Sequence, residues 1–203
     1  MEGIHYYIFV ANQTSIGLRK LLPKLGLEGY EPFGVVDLRL TVNPQTLYVG
    51  EYNHCLIIAH PTLPFQFFGP GLTEIEQEFM AQYPDKEIAV ILIENVMMGF
   101  YKKFGFSIIQ NGRKTRMKIG EDNDYFHDQG NPIPEEKDSR KKVIIDEETI
   151  QYMRQNGQEA DIERYIQFQS DCEVPNRISK RYLGECLETI DKKKVKMVRY
   201  VKK

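Results

Sequence analysis

Arg116 and the acids that follow it are the residues of this chain best suited to chemistry. Asp122, Asp124, Asp128, Glu135 and Glu136 all lie within the next twenty positions. A guanidinium is a planar fork that takes a carboxylate or a phosphate through two parallel hydrogen bonds. Two outcomes are open. Arg116 pairs with one of these acids and pins the segment, or it stays free for an anionic group of a partner. Asp122, Asp124 and Asp128 have the close spacing of oxygens that a hard cation takes. His127 stands sixth in a loop counted from Asp122, where an EF-hand needs glycine, so no metal is assigned. Lys114, Arg116 and Lys118 alternate along one run. Such a row can hold phosphates within a larger basic patch, and it also guards a strand against edge aggregation. His5, His54, His60 and His127 are scattered. His54 and His60 flank a run that opens at Cys55, and a Cys–His pair can be nucleophilic. That run has the character of a buried strand, in which thiols are inert.

These residues have to be positioned by a hairpin. Asn111-Gly112 separates two runs of strand character, 104–110 and 113–119. Both turn residues tolerate positive φ, which suits a type I′ turn. A regular ladder counted outward pairs Ile108 with Thr115, Phe106 with Met117 and Phe104 with Ile119 on an apolar face. Lys114, Arg116 and Lys118 then share the opposite, polar face with Ile109, Ser107 and Gly105.

Along the chain, 4–10 reads as a first strand. Thr14 or Ser15 caps a helix carrying Leu18, Leu21, Leu22 and Leu25, with Pro23 in its last turn and Gly26 as its stop. Residues 33–38 read as another strand. Residues 47–52 and 55–59 make a second hairpin across Asn53-His54. The runs 55–59 and 87–93 are apolar on both sides, as in central strands. Thr73 and Glu76 have capping-box spacing before Leu72, Ile75 and Phe79. Residues 120–138 read as a long acidic loop, 143–145 as a short strand, and 148–154 and 160–169 as helices. Asn176 reads as the cap of a further helix, and 195–201 as a last strand.

Length and composition limit the function classes. The chain has 203 residues, 41% hydrophobic and 28% charged, with a net charge of −2. That is an ordinary globular balance, with no field to draw in nucleic acid or a membrane. Three separated cysteines suit a reducing compartment. No apolar run approaches the ~20 residues of a membrane helix. The N-terminus lacks the basic region of a signal peptide.

Two stretches resemble known families. Residues 100–106, FYKKFGF, with Asn95 upstream, resemble part of the signature of GNAT acetyltransferases. That resemblance implies Tyr101 as the general acid toward the coenzyme A thiolate. The pyrophosphate-cradling Q/R-x-x-G-x-G/A turn of that family is missing here. Residues 95–136 resemble a group of uncharacterised bacterial proteins that share a GF–strand–(D/N)G–strand–acidic segment ending in DxGxPxP(F)E. Here that ending falls on Asp128, Gly130, Pro132, Pro134, Glu135 and Glu136. The resemblance implies a bacterial cytoplasmic α/β domain and brings no activity.

The expected fold is a single α/β (or α+β) domain. It has a mixed sheet flanked by helices and hairpins within 47–59 and 104–119. Residues 143–203 form a less apolar helical appendage packed on it. The expected function is a non-catalytic binding or protein-interaction module of the bacterial cytoplasm, with a protein partner, no cofactor, no nucleic acid and no membrane. The candidate binding residues are Arg116, Asp122, Asp124, Asp128, Glu135 and Glu136. The alternative is a divergent GNAT-like acyltransferase using Tyr101.

Overall fold

The computed structural model describes residues 3–13, 22–38, 45–96, 101–143 and 145–203. Strand β1 (Gly3–Ala11) is built from β-branched and aromatic residues that favour a pleated chain. Its alternate side chains feed two cores. Tyr6, Ile8 and Val10 enter one, and Tyr7 and Phe9 enter the other. A strand apolar on both faces needs cover on both, and that requirement sets the layers of the fold.

The described residues add eight strands to it. These are β2 (Tyr30–Asp37), β3 (Thr46–Tyr52), β4 (Cys55–Ala59), β5 (Ile88–Val96), β6 (Tyr101–Gln110), β7 (Arg113–Glu121), β8 (Asp124–Gly130) and β9 (Lys196–Lys202). The order is β2-β9-β3-β4-β1-β5-β6-β7-β8, so β4, β1 and β5 lie at the centre. Every pairing between described strands is antiparallel, with no parallel pair in the sheet that the sequence reads as mixed.

One face is covered by a short 3-10 turn (Leu63–Phe67), by helix α1 (Glu74–Gln82), and by Leu22, Leu25 and Leu27. The caps Thr14 and Ser15, together with Leu18 and Leu21, lie outside the described residues. α1 starts on a full capping box. Thr73 Oγ1 accepts from Glu76 N at 3.2 Å, and Glu76 Oε2 accepts from Thr73 N at 2.7 Å.

The other face is covered by the last helix. Helices α2 (Pro134–Lys142) and α3 (Glu147–Gln155) precede α4 (Ile162–Leu183). α4 buries Phe168, Val174, Ile178, Tyr182 and Leu183. The helix continues through Pro175, where a proline would otherwise interrupt it, with buried apolar residues on both sides of that point. Asn176 is therefore inside α4 rather than at a helix start, and its Oδ1 accepts from Glu188 N at 3.4 Å. Val143 and Ile145 carry no strand. Residues 143–203, read as a helical appendage, also supply β9 to the interior of the sheet, between β2 and β3.

Among the described residues, three two-residue turns have both residues at positive φ: Asn53-His54, Asn111-Gly112 and Asp122-Asn123. All suit type I′ hairpins. Asp122-Asn123 turns β7 into β8, so residues read as acidic loop form a strand and then α2.

Asn53 also ties its hairpin to α4, donating from Nδ2 to Leu183 O at 2.6 Å. Asn53→Ala is expected to lose about 1–2 kcal/mol, from the hydrogen bond and the left-handed backbone together. Urea midpoints should rank it below Asn53→Gly, which loses only the hydrogen bond. An alanine variant matching the wild type would mean the tie contributes nothing.

Candidate functional site

The site begins with a departure from the regular ladder. Gln110 pairs with Arg113 and Ile109 with Lys114, as two-residue turn geometry demands. The register then slips at a β-bulge, and Ile108 lies opposite Arg116, Phe106 opposite Lys118 and Phe104 opposite Gly120. The expected pairs beyond Ile109 are therefore wrong by one residue. Thr115 is the extra residue, and its Oγ1 donates to Ile108 O at 3.2 Å. A bulge leaves one residue unpaired and re-aims the side chains beyond it.

That slip splits the basic row. Lys114 turns to the first core, where its Nζ lies 2.9 Å from Glu76 Oε1 and donates to Gly69 O at 2.9 Å. Arg116 and Lys118 turn to the second face, alongside Phe104, Phe106 and Ile108. The single polar face of the regular ladder does not form: the slip sends Lys114 to one side of the sheet and Arg116 and Lys118 to the other, and all three cations are buried.

Arg116 is 2% exposed and grips Glu136 with a two-pronged fork. Nε reaches Oε2 at 2.9 Å and Nη2 reaches Oε1 at 2.6 Å. Nη1 donates to Gln129 O at 2.9 Å, to Gly130 O at 3.2 Å and to the Asp128 carboxylate. Its guanidinium stands over the Phe106 ring. Glu136 Oε2 also accepts from Ile133 N at 2.8 Å, capping α2 where Ile133 has no side-chain acceptor of its own. Arg116 thus joins the bulge, the end of β8 and the start of α2. This is the pinning geometry.

Lys118 donates to Asp171 Oδ2 at 2.6 Å and lies 3.5 Å from Asp128 Oδ2. Asp171 also accepts from Tyr125 OH at 2.8 Å and Gln167 Nε2 at 3.1 Å. Burial, then the Asp171 charge, push the Tyr125 phenol well above its ordinary range. Partial burial pushes the Asp128 carboxyl up, but Arg116 and Lys118 outweigh it and hold the group below the usual carboxylate range.

Of the sequence candidates, Arg116, Asp128 and Glu136 come together. The other three do not. Asp122 Oδ1 accepts from Lys102 N at 3.1 Å, and Asp124 pairs with Arg164. Glu135 accepts from Arg181 at 2.9 and 2.6 Å, and Arg181 in turn donates to Glu87 Oε1 at 3.0 Å. Sequence reading missed Asp171 and Tyr125, and read Glu76 only as half of a capping box. Asp171 lies 53 positions from Lys118, between the helix read at 160–169 and the one read from Asn176, so no local pattern announces it.

The Cys–His idea fails on its environment. Burial pushes the Cys55 thiol up to about 12 and the buried His60 down to about 4. His60 Nδ1 accepts from Thr62 N at 3.2 Å and Leu63 N at 3.1 Å, which leaves it a structural acceptor. The side chains of Asn95 and Tyr101 lie outside the described part; the Tyr101 backbone pairs with Val96. Among the described residues, no group of three or more His, Cys, Asp or Glu is placed to hold a metal ion. No helix among them is long and apolar enough to cross a membrane.

The chain is thus an α/β domain with an open antiparallel sheet and an internal ion-pair network at one end. Comparison with family models, curated proteins and solved structures finds no match.

The depressed Asp128 pKa has a testable sign. Its stabilising contribution is present above the unfolded value of about 3.9 and is lost as pH falls through the lower folded value. The Tm difference between wild type and Asp128→Asn should be positive near pH 7 and should close below about pH 4. A difference that ignores pH would show that the charge of Asp128 is not what matters.

Proposed function

We propose that this protein is a non-catalytic protein-interaction module of the bacterial cytoplasm, and that its partner meets the end of the sheet formed by β2 and β9. The observation that carries this reading is the exposure of Phe33 and Val35, at 65% and 68%. They are the most exposed large hydrophobics among the described residues, and both lie on edge strand β2. The Arg199 guanidinium stacks over the Phe33 ring at 4.4 Å. Ion pairs Glu31–Lys203 and Asp37–Lys196 lie toward the two ends of β2 and β9. An exposed aromatic stacked on an arginine, with charged pairs along the same edge, is the composition of a protein interface.

Strand addition is disfavoured at this edge. Pro32 has no N–H to offer, and a bulge breaks the ladder between Pro32 and Gly34. The partner is therefore received by side chains. The row Lys114, Arg116 and Lys118 is engaged by internal carboxylates, which favours a protein over a nucleic acid. The free thiols of Cys55, Cys172 and Cys186 suit a reducing compartment.

The test is capture from lysate with wild type and with Phe33→Ser/Val35→Ser. The variant should keep its Tm and lose its specific partner, with affinity down roughly thirty-fold or more. An unchanged set of captured proteins would remove this surface from consideration.

A further inference from the structure

A cleft of about 580 Å³ opens beside α3. Val143, Ile145, Ile162 and Ile166 give it an aliphatic wall. From α3 it takes Glu147, Ile150, Gln151 and Arg154, spaced i, i+3, i+4 and i+7, which is one stripe of a helix. Ile150 is buried, and the two ends of the stripe carry opposite charges. Glu147 and Arg154 are both exposed, and neither has a side-chain partner among the described residues. They stand about 10 Å apart along the axis at 1.5 Å per residue.

That pattern is complementary to itself. We propose that α3 and this cleft form a self-association surface, occupied by a second copy of the chain with its α3 running antiparallel. A two-fold axis between Ile150 and Gln151 sets Glu147 of each copy against Arg154 of the other, twice over. The same axis sets the helix dipoles head to tail. A parallel or shifted arrangement loses both charge pairs. Ile145, exposed at the approach to α3, is the aliphatic group each copy covers for the other. The contact is isologous and closes as a dimer, so it does not propagate. It lies apart from the β2–β9 surface and does not depend on the partner assigned there.

The experiment is sedimentation velocity on the whole chain over a concentration series, at low and high salt. A monomer–dimer equilibrium that weakens with salt is expected. Glu147→Arg and Arg154→Glu each place like charges at both ends of the pair. Each should raise the dissociation constant roughly ten-fold or more while leaving the circular dichroism unchanged. The combined Glu147→Arg/Arg154→Glu should restore wild-type association, which a general effect of surface charge would not do. A chain that stays monomeric at every concentration overturns the proposal. So does a dimer that ignores the reversals, or reversals that the combined variant fails to rescue. A dimer lost in Phe33→Ser/Val35→Ser but kept in the reversals would place the contact at the sheet edge and also overturn it.

Discussion

Arg116→Ala is expected to lower the unfolding free energy by about 3–5 kcal/mol, the range for breaking a buried pair from one side. The cost comes from the groups left stranded more than from the attraction lost. Glu136 is buried with Arg116 and would keep its charge without its counter-ion. The carbonyls of Gln129 and Gly130 would each lose a donor. The urea midpoint should fall accordingly, with hydrogen exchange accelerating first across β8 and α2, the two elements that Arg116 joins. Adding Glu136→Gln should recover part of the loss. It removes the stranded charge and keeps an acceptor for Ile133 N. A loss below about 1 kcal/mol would put this pair with surface salt bridges and would undo the claim that it holds this end of the sheet.

Gly130→Ala is expected to cost more than about 4 kcal/mol, or to prevent folding, a size reserved for a few named causes. Two of them act here. Gly130 has φ +87°, where a side chain is strained. A Cβ built on it would clash with Thr115 O and lie 3.1 Å from Arg116 Cα. Those are backbone atoms of the neighbouring strand, so no rotamer relieves the clash. β8 would have to leave β7 at the bulge that turns Arg116 inward, and the ion-pair network would open with it. Gly112→Ala is the control, because it shares the positive φ but meets nothing within 4 Å. It should cost only about 1–2 kcal/mol. Equal urea midpoints for the two alanine variants would show that the close approach at Gly130 is not a constraint.

Features that rest on neighbours in the chain are legible in the residues alone. The apolar runs in β4 and β5 demand burial on both faces, and those two strands flank β1 at the centre of the sheet. Asn53-His54 and Asn111-Gly112 turn as their tolerance of positive φ requires. Thr73 and Glu76 close their capping box because the groups that must meet are three residues apart. Other features needed the folded chain. A bulge adds one residue without altering composition or local propensity, so nothing in residues 113–119 says whether Lys114, Arg116 and Lys118 share a face. Burial made the choice: with the slip, Met117 and Ile119 join the first core while Arg116 and Lys118 reach carboxylates on β8, α2 and α4. Asp124–Gly130 reads as loop because acids and turn formers predominate, and it becomes a strand because β7 offers it a ladder. β9 finds its place between β2 and β3 across more than a hundred residues of chain, a pairing set by the competition of whole strands for an open edge.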